Sequence, residues 1–386
     1  MSEDETILSS VSARSAIYPP QEFKQDPVPN TIAQIVGSAM EKAGVVTRDS
    51  DHFHTLYDRD QAKRLLKEIG DKRRNGENAN GLFQELKDRG RINESYLCQG
   101  QVDVAMGELG VQSSQYVIME PPNHLRDPKY KDCPIVCIPG ISNSLAGFEA
   151  LVKELVYEGR TVIAIAQPES TNGVVTEAFA QATESKANLG PHIDFFDEAV
   201  RLALKQRMDS VYASEVASQL VRFDLLGHST GCAIIAGLLG RELFQAATHN
   251  AILISPAGVT EQTIKEFDGA TVPELLTFVK NRSRLSAFNR DNSPQTPVKA
   301  RVTESVKKTI IHPLDDLYTG ANLANGHQIL VLSGNKDQIV KSRQARKRVM
   351  GLNPKLKWVS MPSAAHAEAL VNPGRVVGLI NEHLED

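Results

Sequence analysis

The chain has 386 residues, 23% of them charged, with a net charge of −4; this is enough for two or three ordinary domains, or for one large α/β domain with an appendage. That charge balance sets up no global field for a nucleic acid or an anionic membrane, so nucleic-acid partners are not expected. No run approaches the ~18 to 20 apolar residues that a spanning helix needs, so no integral membrane segment is expected either.

The first residues, Met-Ser-Glu-Asp-Glu, put acids where a secretory signal would carry positive charge, and a cytoplasmic location is the expectation. Residues 1–29 are polar and carry Tyr18-Pro19-Pro20 and Pro27-Val28-Pro29, which reads as a flexible arm. Residues 30–112 read as a helical N-terminal region. Ile32, Ile35, Val36 and Met40 recur at helical spacing, Leu65, Leu66 and Ile69 form a second stripe, and Leu82, Phe83 and Leu86 continue the theme. The cations from Lys67 to Arg74 read as a solvated face, with a protein partner through residues 30–112 as the functional alternative.

The texture then changes to short apolar strands alternating with amphipathic helices. Strand signals fall at Tyr116 to Met119, Ile135 to Ile138, Thr161 to Ala166, Val221 to Leu226, Ala251 to Ser255, Ile329 to Ser333 and Lys357 to Ser360. Helix signals fall at Phe148 to Tyr157, Ile193 to Arg207, Cys232 to Leu239 and Arg375 to Leu384. Runs such as Ile135 to Ile138 lack polar alternation, as expected of strands covered on both faces of a mainly parallel sheet. Between the strands at 251–255 and 329–333 lie about seventy residues, too many for an ordinary connection, so a cap is expected there. Within it, Pro273 to Lys280 and Val302 to Lys308 read as helices and Asn289 to Pro297 as mobile. Phe267, Leu275, Leu276, Phe278 and Phe288 could line a pocket or hold the cap together. The expected organisation is an N-terminal arm over 1–29, a helical region over 30–112, a core over 113–257, a cap insertion over 258–326 and the rest of the core over 327–386.

Four cysteines are too few and too scattered for a disulfide framework. Cys133 and Cys137, read on one strand, would stand about 13 Å apart, beyond disulfide reach. Cys98 and Cys232 read as packing thiols, and no cysteine pair has zinc-ligand spacing with histidine, so neither metal nor cofactor is expected.

Leu225 to Gly231 reads Leu-Leu-Gly-His-Ser-Thr-Gly, an apolar strand running into Gly-x-Ser-x-Gly and then a helix-forming stretch. A serine hydroxyl is a poor nucleophile, and a sharp strand-to-helix turn would present it to a base with helix N-terminal amides beside the developing negative charge. Ser229 is the candidate nucleophile and the Thr230 amide a candidate oxyanion donor; the alternative is a chance pentapeptide. Asp337 follows the strand at 329–333, and His366 follows the strand at 357–360. Asp337 could equally cap a helix starting near Ile339. Asp224, Asp315 and Asp316 are less well placed to meet His366. His228 reads as structural and Glu368 as a solvated helix-start residue.

With Gly-His-Ser-Thr-Gly, Ser-Gly-Asn-Lys-Asp and Ala-Ala-His in that order, the chain from about Cys133 to Leu384 resembles the α/β-hydrolase superfamily. The resemblance implies an α/β-hydrolase fold: a mainly parallel sheet flanked by helices, a helical cap inserted between late strands and, outside the resemblance, a helical N-terminal extension. It implies a triad in which His366 takes the proton of Ser229 and Asp337 orients the imidazole. It also implies a second oxyanion donor at the Ile141 amide, where Pro139 stands in place of the histidine that many relatives carry. Gln167-Pro168-Glu169-Ser170 departs from the relatives as well, many of which have Asp followed by small residues. The expected activity is hydrolysis of a carboxylic ester or thioester of a small-molecule acyl substrate. Alternatives are an acyltransferase with the same triad and, of another class, a non-catalytic hydrolase-shaped receptor or scaffold.

Overall fold

A computed structural model describes residues 67–69, 71–72, 96–122, 125–130, 133–141, 145–170, 173–186, 188–211, 222–271, 296–319, 328–354 and 356–384. In chain order the elements are β1 (Tyr96–Ala105), β2 (Val111–Glu120), β3 (Ile135–Ile138), α1 (Leu145–Tyr157), β4 (Val162–Ile165), α2 (Glu177–Lys186), α3 (Gly190–Val211) and β5 (Phe223–His228). There follow α4 (Thr230–Leu238), α5 (Glu242–Ala247), β6 (Thr248–Ile254), α6 (Pro297–Ile310), β7 (Gln328–Gly334), α7 (Ser342–Leu352), β8 (Lys357–Met361), α8 (Glu368–Val371) and α9 (Pro373–Leu384).

The eight strands form one sheet in the order β1-β2-β4-β3-β5-β6-β7-β8. From β4 to β8 all neighbours are parallel, and β1 and β2 are antiparallel additions at one edge. The chain leaves β3 for β4 on one side and returns to β5 on the other. The strand order thus reverses between β3 and β5, and the carboxyl ends of the strands at such a reversal are where open α/β sheets generally receive ligands.

The unbroken apolar strands are explained by two cores, one on each face. Val136, Ile138, Leu225, Leu253 and Val331 point into one, against α3, α4, α6 and α7. Their chain neighbours Ile135, Cys137, Leu226, Ile252 and Leu330 point into the other, against α1, α8 and α9. Successive side chains of a strand face opposite sides, so a strand covered on both must be apolar throughout.

At the N-terminal edge the structure departs from the helical expectation. Residues 96–105 form β1, paired along its whole length with β2. Cys98, Val102 and Val104 are buried, and Gln99, Gln101 and Asp103 between them are only partly so; Val102 and Val104, two apart, share one face of a strand but would lie on opposite sides of a helix. Gly100 sits in that row because the Tyr116 ring fills its place, and a Cβ there would lie 2.8 Å from Tyr116 Cε1. Ile69 is buried in a helical stretch at 67–69, whereas the other residues of the expected N-terminal stripes lie outside the described residues. In the interval expected as a cap, residues 264–271 are helical and α6 covers the Val302 to Lys308 signal; Val302 and Val306 pack in the first core with Phe267. Residues 273–280, 289–295 and Phe288 lie outside the described residues.

Candidate active site

Ser229 sits between β5 and α4 at φ 55 and ψ −118, a conformation that L residues avoid. Strain of this kind costs about 1–3 kcal/mol and persists only where the surroundings enforce it. Here they do: Ser229 N donates to Ile254 O at 3.0 Å, and Ser229 O accepts from Cys232 N at 3.0 Å and Ala257 N at 3.2 Å. The flanking glycines are required by close approach. A Cβ on Gly227 would lie 2.7 Å from Cys232 N, and one on Gly231 would lie 2.1 Å from Ile138 O. Strand β5, helix α4 and the end of β3 are thus packed backbone to backbone around the serine.

Asp337 follows β7 and His366 follows β8, and the two loops meet. Lys336 N donates to Ala364 O at 2.9 Å, Asn335 N to Met361 O at 3.1 Å, and Ser363 N to Asn335 Oδ1 at 2.7 Å. Across this seam His366 Nδ1 and Asp337 Oδ2 lie 2.8 Å apart. A carboxylate only accepts, so Nδ1 carries the proton and the bond turns Nε2 away from the acid. Asp337 Oδ1 accepts from Ile339 N at 2.9 Å and Val340 N at 2.8 Å. No helix begins near Ile339, since residues 338–341 form a turn and α7 starts only at Ser342 with Lys341 as its N-cap; Asp337 instead closes that turn with one oxygen and pairs with histidine through the other. Burial raises the Asp337 carboxyl, but the charge and hydrogen bond of His366 and the amide of Val340 outweigh it and hold the group below the usual carboxylate range.

His228 links the serine turn to the histidine loop. Its Nε2 donates to His366 O at 3.0 Å, and the two rings lie 5.0 Å apart between centroids. Burial, and next the charge of His366, push the His228 imidazole down to about 4, so it stays neutral. Thr230 is buried as the first residue of α4, and Ile141 is half-buried on the loop after β3. The remaining acids considered from sequence are elsewhere: Asp224 pairs with Arg160, and Asp315 with Arg348. Glu368 opens α8 and pairs with Arg375 at 3.1 Å.

All four cysteines are free. Cys232 donates to Gly227 O at 3.1 Å and burial holds its thiol well up, consistent with a packing role. Cys133 precedes β3 rather than lying on it. The fold nevertheless brings Cys133, Asp224 and His249 together, their ligand atoms within 4.8 Å of one another, which the spacing in sequence gave no sign of. Arg160 occupies Asp224 Oδ2 at 2.9 Å, and Asn250 N and Nδ2 occupy Oδ1 at 3.0 and 2.9 Å. A metal ion there would have to displace these donors and sit against a guanidinium, so the donor set fits an ion poorly.

Sequence reasoning also missed Ser255, which takes φ 49 directly after β6 and donates its amide to Leu332 O at 2.8 Å. It missed Asn335 as the clamp between the two loops. Neither has a local signal, since each role exists only across strands.

No protein-family model matches the chain, and no curated protein matches it in sequence. Solved structures do. The peroxisomal α/β-hydrolase Lpx1 of Saccharomyces cerevisiae matches with a TM-score of 0.52 and 13% identity, over 75% of this chain and 89% of that one. E-2-(acetamidomethylene)succinate hydrolase matches with a TM-score of 0.51 and 15% identity, over 74% of this chain and 98% of that one. Among the described residues no helix is long and apolar enough to cross a membrane. The mainly parallel eight-stranded sheet, its flanking helices and these likenesses together establish that the chain has the α/β-hydrolase fold.

Proposed function

We propose that the chain is a serine hydrolase that cleaves a carboxylic ester or thioester through an acyl-enzyme on Ser229. The observation that carries the reading is the 2.8 Å bond between His366 and Asp337, two loops away from a serine held in a strained turn whose preceding residue, His228, touches the same histidine. In this reading His366 Nε2 takes the proton as Ser229 Oγ attacks the acyl carbon, and Asp337 stabilises the imidazolium. The Thr230 and Ile141 amides receive the oxyanion, with the α4 N-terminus adding its positive end. The proton then passes from His366 to the leaving alcohol or thiol, and water repeats the sequence on the acyl-enzyme. The relatives named above are hydrolases, which agrees with this chemistry while leaving the substrate to experiment.

The test is covalent labelling with a fluorophosphonate, followed by turnover of short-chain esters and thioesters. Wild-type protein should be labelled and Ser229→Ala should not, while Asp337→Asn should lower kcat by about 10²- to 10⁴-fold without unfolding the protein. Equal labelling of wild type and Ser229→Ala would remove Ser229 from the mechanism, and a wild type that is neither labelled nor active on any ester or thioester would leave a receptor or scaffold as the better reading.

A further inference from the structure

The loop after β3, Ile138-Pro139-Gly140-Ile141, has a proline where a side-chain donor could brace it, yet its backbone is wedged from two sides. On one side is Gly231, so close that a Cβ there would lie 2.9 Å from Pro139 O. On the other is Gln167, fully buried beyond the end of β4, whose Nε2 donates to Pro139 O at 2.7 Å. The Gln167 Oε1 is also buried and meets no hydrogen-bond donor among the described residues, so the bond the amide makes there is the one from Nε2 to Pro139 O.

The brace rests on a fixed base. Ser114 Oγ donates to Ala166 O at 2.7 Å from β2, His192 Nε2 meets Glu169 Oε2 at 3.2 Å from α3, and Lys299 Nζ donates to Ser170 O at 2.9 Å from α6. Gly173 folds back so tightly that a Cβ would lie 1.9 Å from Pro168 O. Residues 166–170 are therefore held by β2, α3 and α6 before Gln167 reaches across to the β3 loop.

We infer that Gln167 is a positioning residue of the oxyanion loop: by holding Pro139 O against Gly231 it fixes the peptide plane next to the Ile141 amide. The inference rests on the serine-hydrolase reading above. Gln167 touches no reacting atom, so its effect is on how well the amide is aimed when charge develops, a property of the transition state and not of substrate binding.

The experiment compares wild type, Gln167→Met and Gln167→Glu by ester turnover across pH, by affinity for a trifluoromethyl ketone, and by thermal unfolding. Both substitutions keep the length of the side chain, and Gln167→Glu keeps its shape. Without the donor, kcat should fall about 10- to 100-fold with KM nearly unchanged, and the ketone, which forms an oxyanion, should lose affinity by a similar factor. In Gln167→Glu a carboxylate would face a carbonyl oxygen, whereas its protonated form regains a donor; its kcat relative to wild type should therefore rise as pH falls. Wild-type kcat and ketone affinity in folded Gln167→Met, which has no donor at any pH, would overturn the brace and leave Gln167 as packing. The two ideas separate on the unsubstituted protein. If wild type is labelled by a fluorophosphonate at Ser229 and Gln167→Met turns over normally, the brace alone is wrong; if wild type is not labelled, the reading beneath it is wrong.

Discussion

His228 is the residue whose titration is most directly tied to the structure. It is fully buried, donates from Nε2 to the carbonyl of His366, and faces the His366 ring and the Asp337 carboxylate. Its folded pKa of about 4 lies below the ordinary 6.5 because burial, and next the charge of His366, oppose its protonation. An unfolded chain therefore binds a proton here at a pH where the native protein does not. The stability this neutral imidazole contributes is complete above about pH 6.5 and is lost as pH falls towards 4, by about 3 kcal/mol in all. His228→Gln keeps a donor for His366 O and removes the titration. Urea midpoints measured from pH 7.5 to 4 should fall more steeply in wild type than in the variant. Equal slopes would mean that His228 is charged in the native protein.

At the scale of elements, the meeting of the β7 and β8 loops decides whether an acid and a base 29 positions apart can pair. Gly334 ends β7 against the second loop, where a Cβ would lie 2.4 Å from Ala364 O and 2.9 Å from Ala365 O. Backbone atoms cannot swing aside as a side chain can, so Gly334→Ala should push the loops apart. We expect a loss of about 1–3 kcal/mol of stability, together with at least tenfold slower ester turnover as the Asp337 to His366 bond lengthens. Wild-type kcat in folded Gly334→Ala would show that the loops separate without disturbing the pair. The same contrast explains what the sequence discloses. The buried strands announce themselves through unbroken apolar runs; Ser229 directly follows one and Asp337 lies on the loop after another, whereas His366 lies on the loop after β8, a partly exposed edge strand with polar residues in its run. β1 is hidden because its outward face, Gln99, Gln101 and Asp103, is polar and its inward face contains Gly100, so that only pairing with β2 completes the apolar row. Gln167 and Pro139 are 28 residues apart, and no local pattern marks a side chain whose partner is a distant carbonyl.

At the scale of the whole molecule, the two ends of the sheet have different work. The candidate site lies beyond the carboxyl ends of the strands, while the opposite end is closed by Arg160, which precedes β4, and Asp224, near the start of β5. Arg160 Nη1 lies 2.9 Å from Asp224 Oδ2, both side chains are 2% exposed, and the Tyr130 ring stacks 3.8 Å from the guanidinium carbon. A buried ion pair gains little over an apolar pair, but removing one partner strands a charge that water cannot reach. Arg160→Leu should therefore lower stability by about 3–5 kcal/mol, and adding Asp224→Asn to it should restore part of the loss, because the neutral amide no longer needs the cation. Neither change touches the site end, so kcat measured well below the melting temperature should stay within about twofold of wild type, as expected of substitutions that are remote from the site and share no partner with it. A kcat that falls with stability while the protein remains folded would show that the closed end of the sheet sets the geometry of the open one, and the division of labour between the two ends would have to be abandoned.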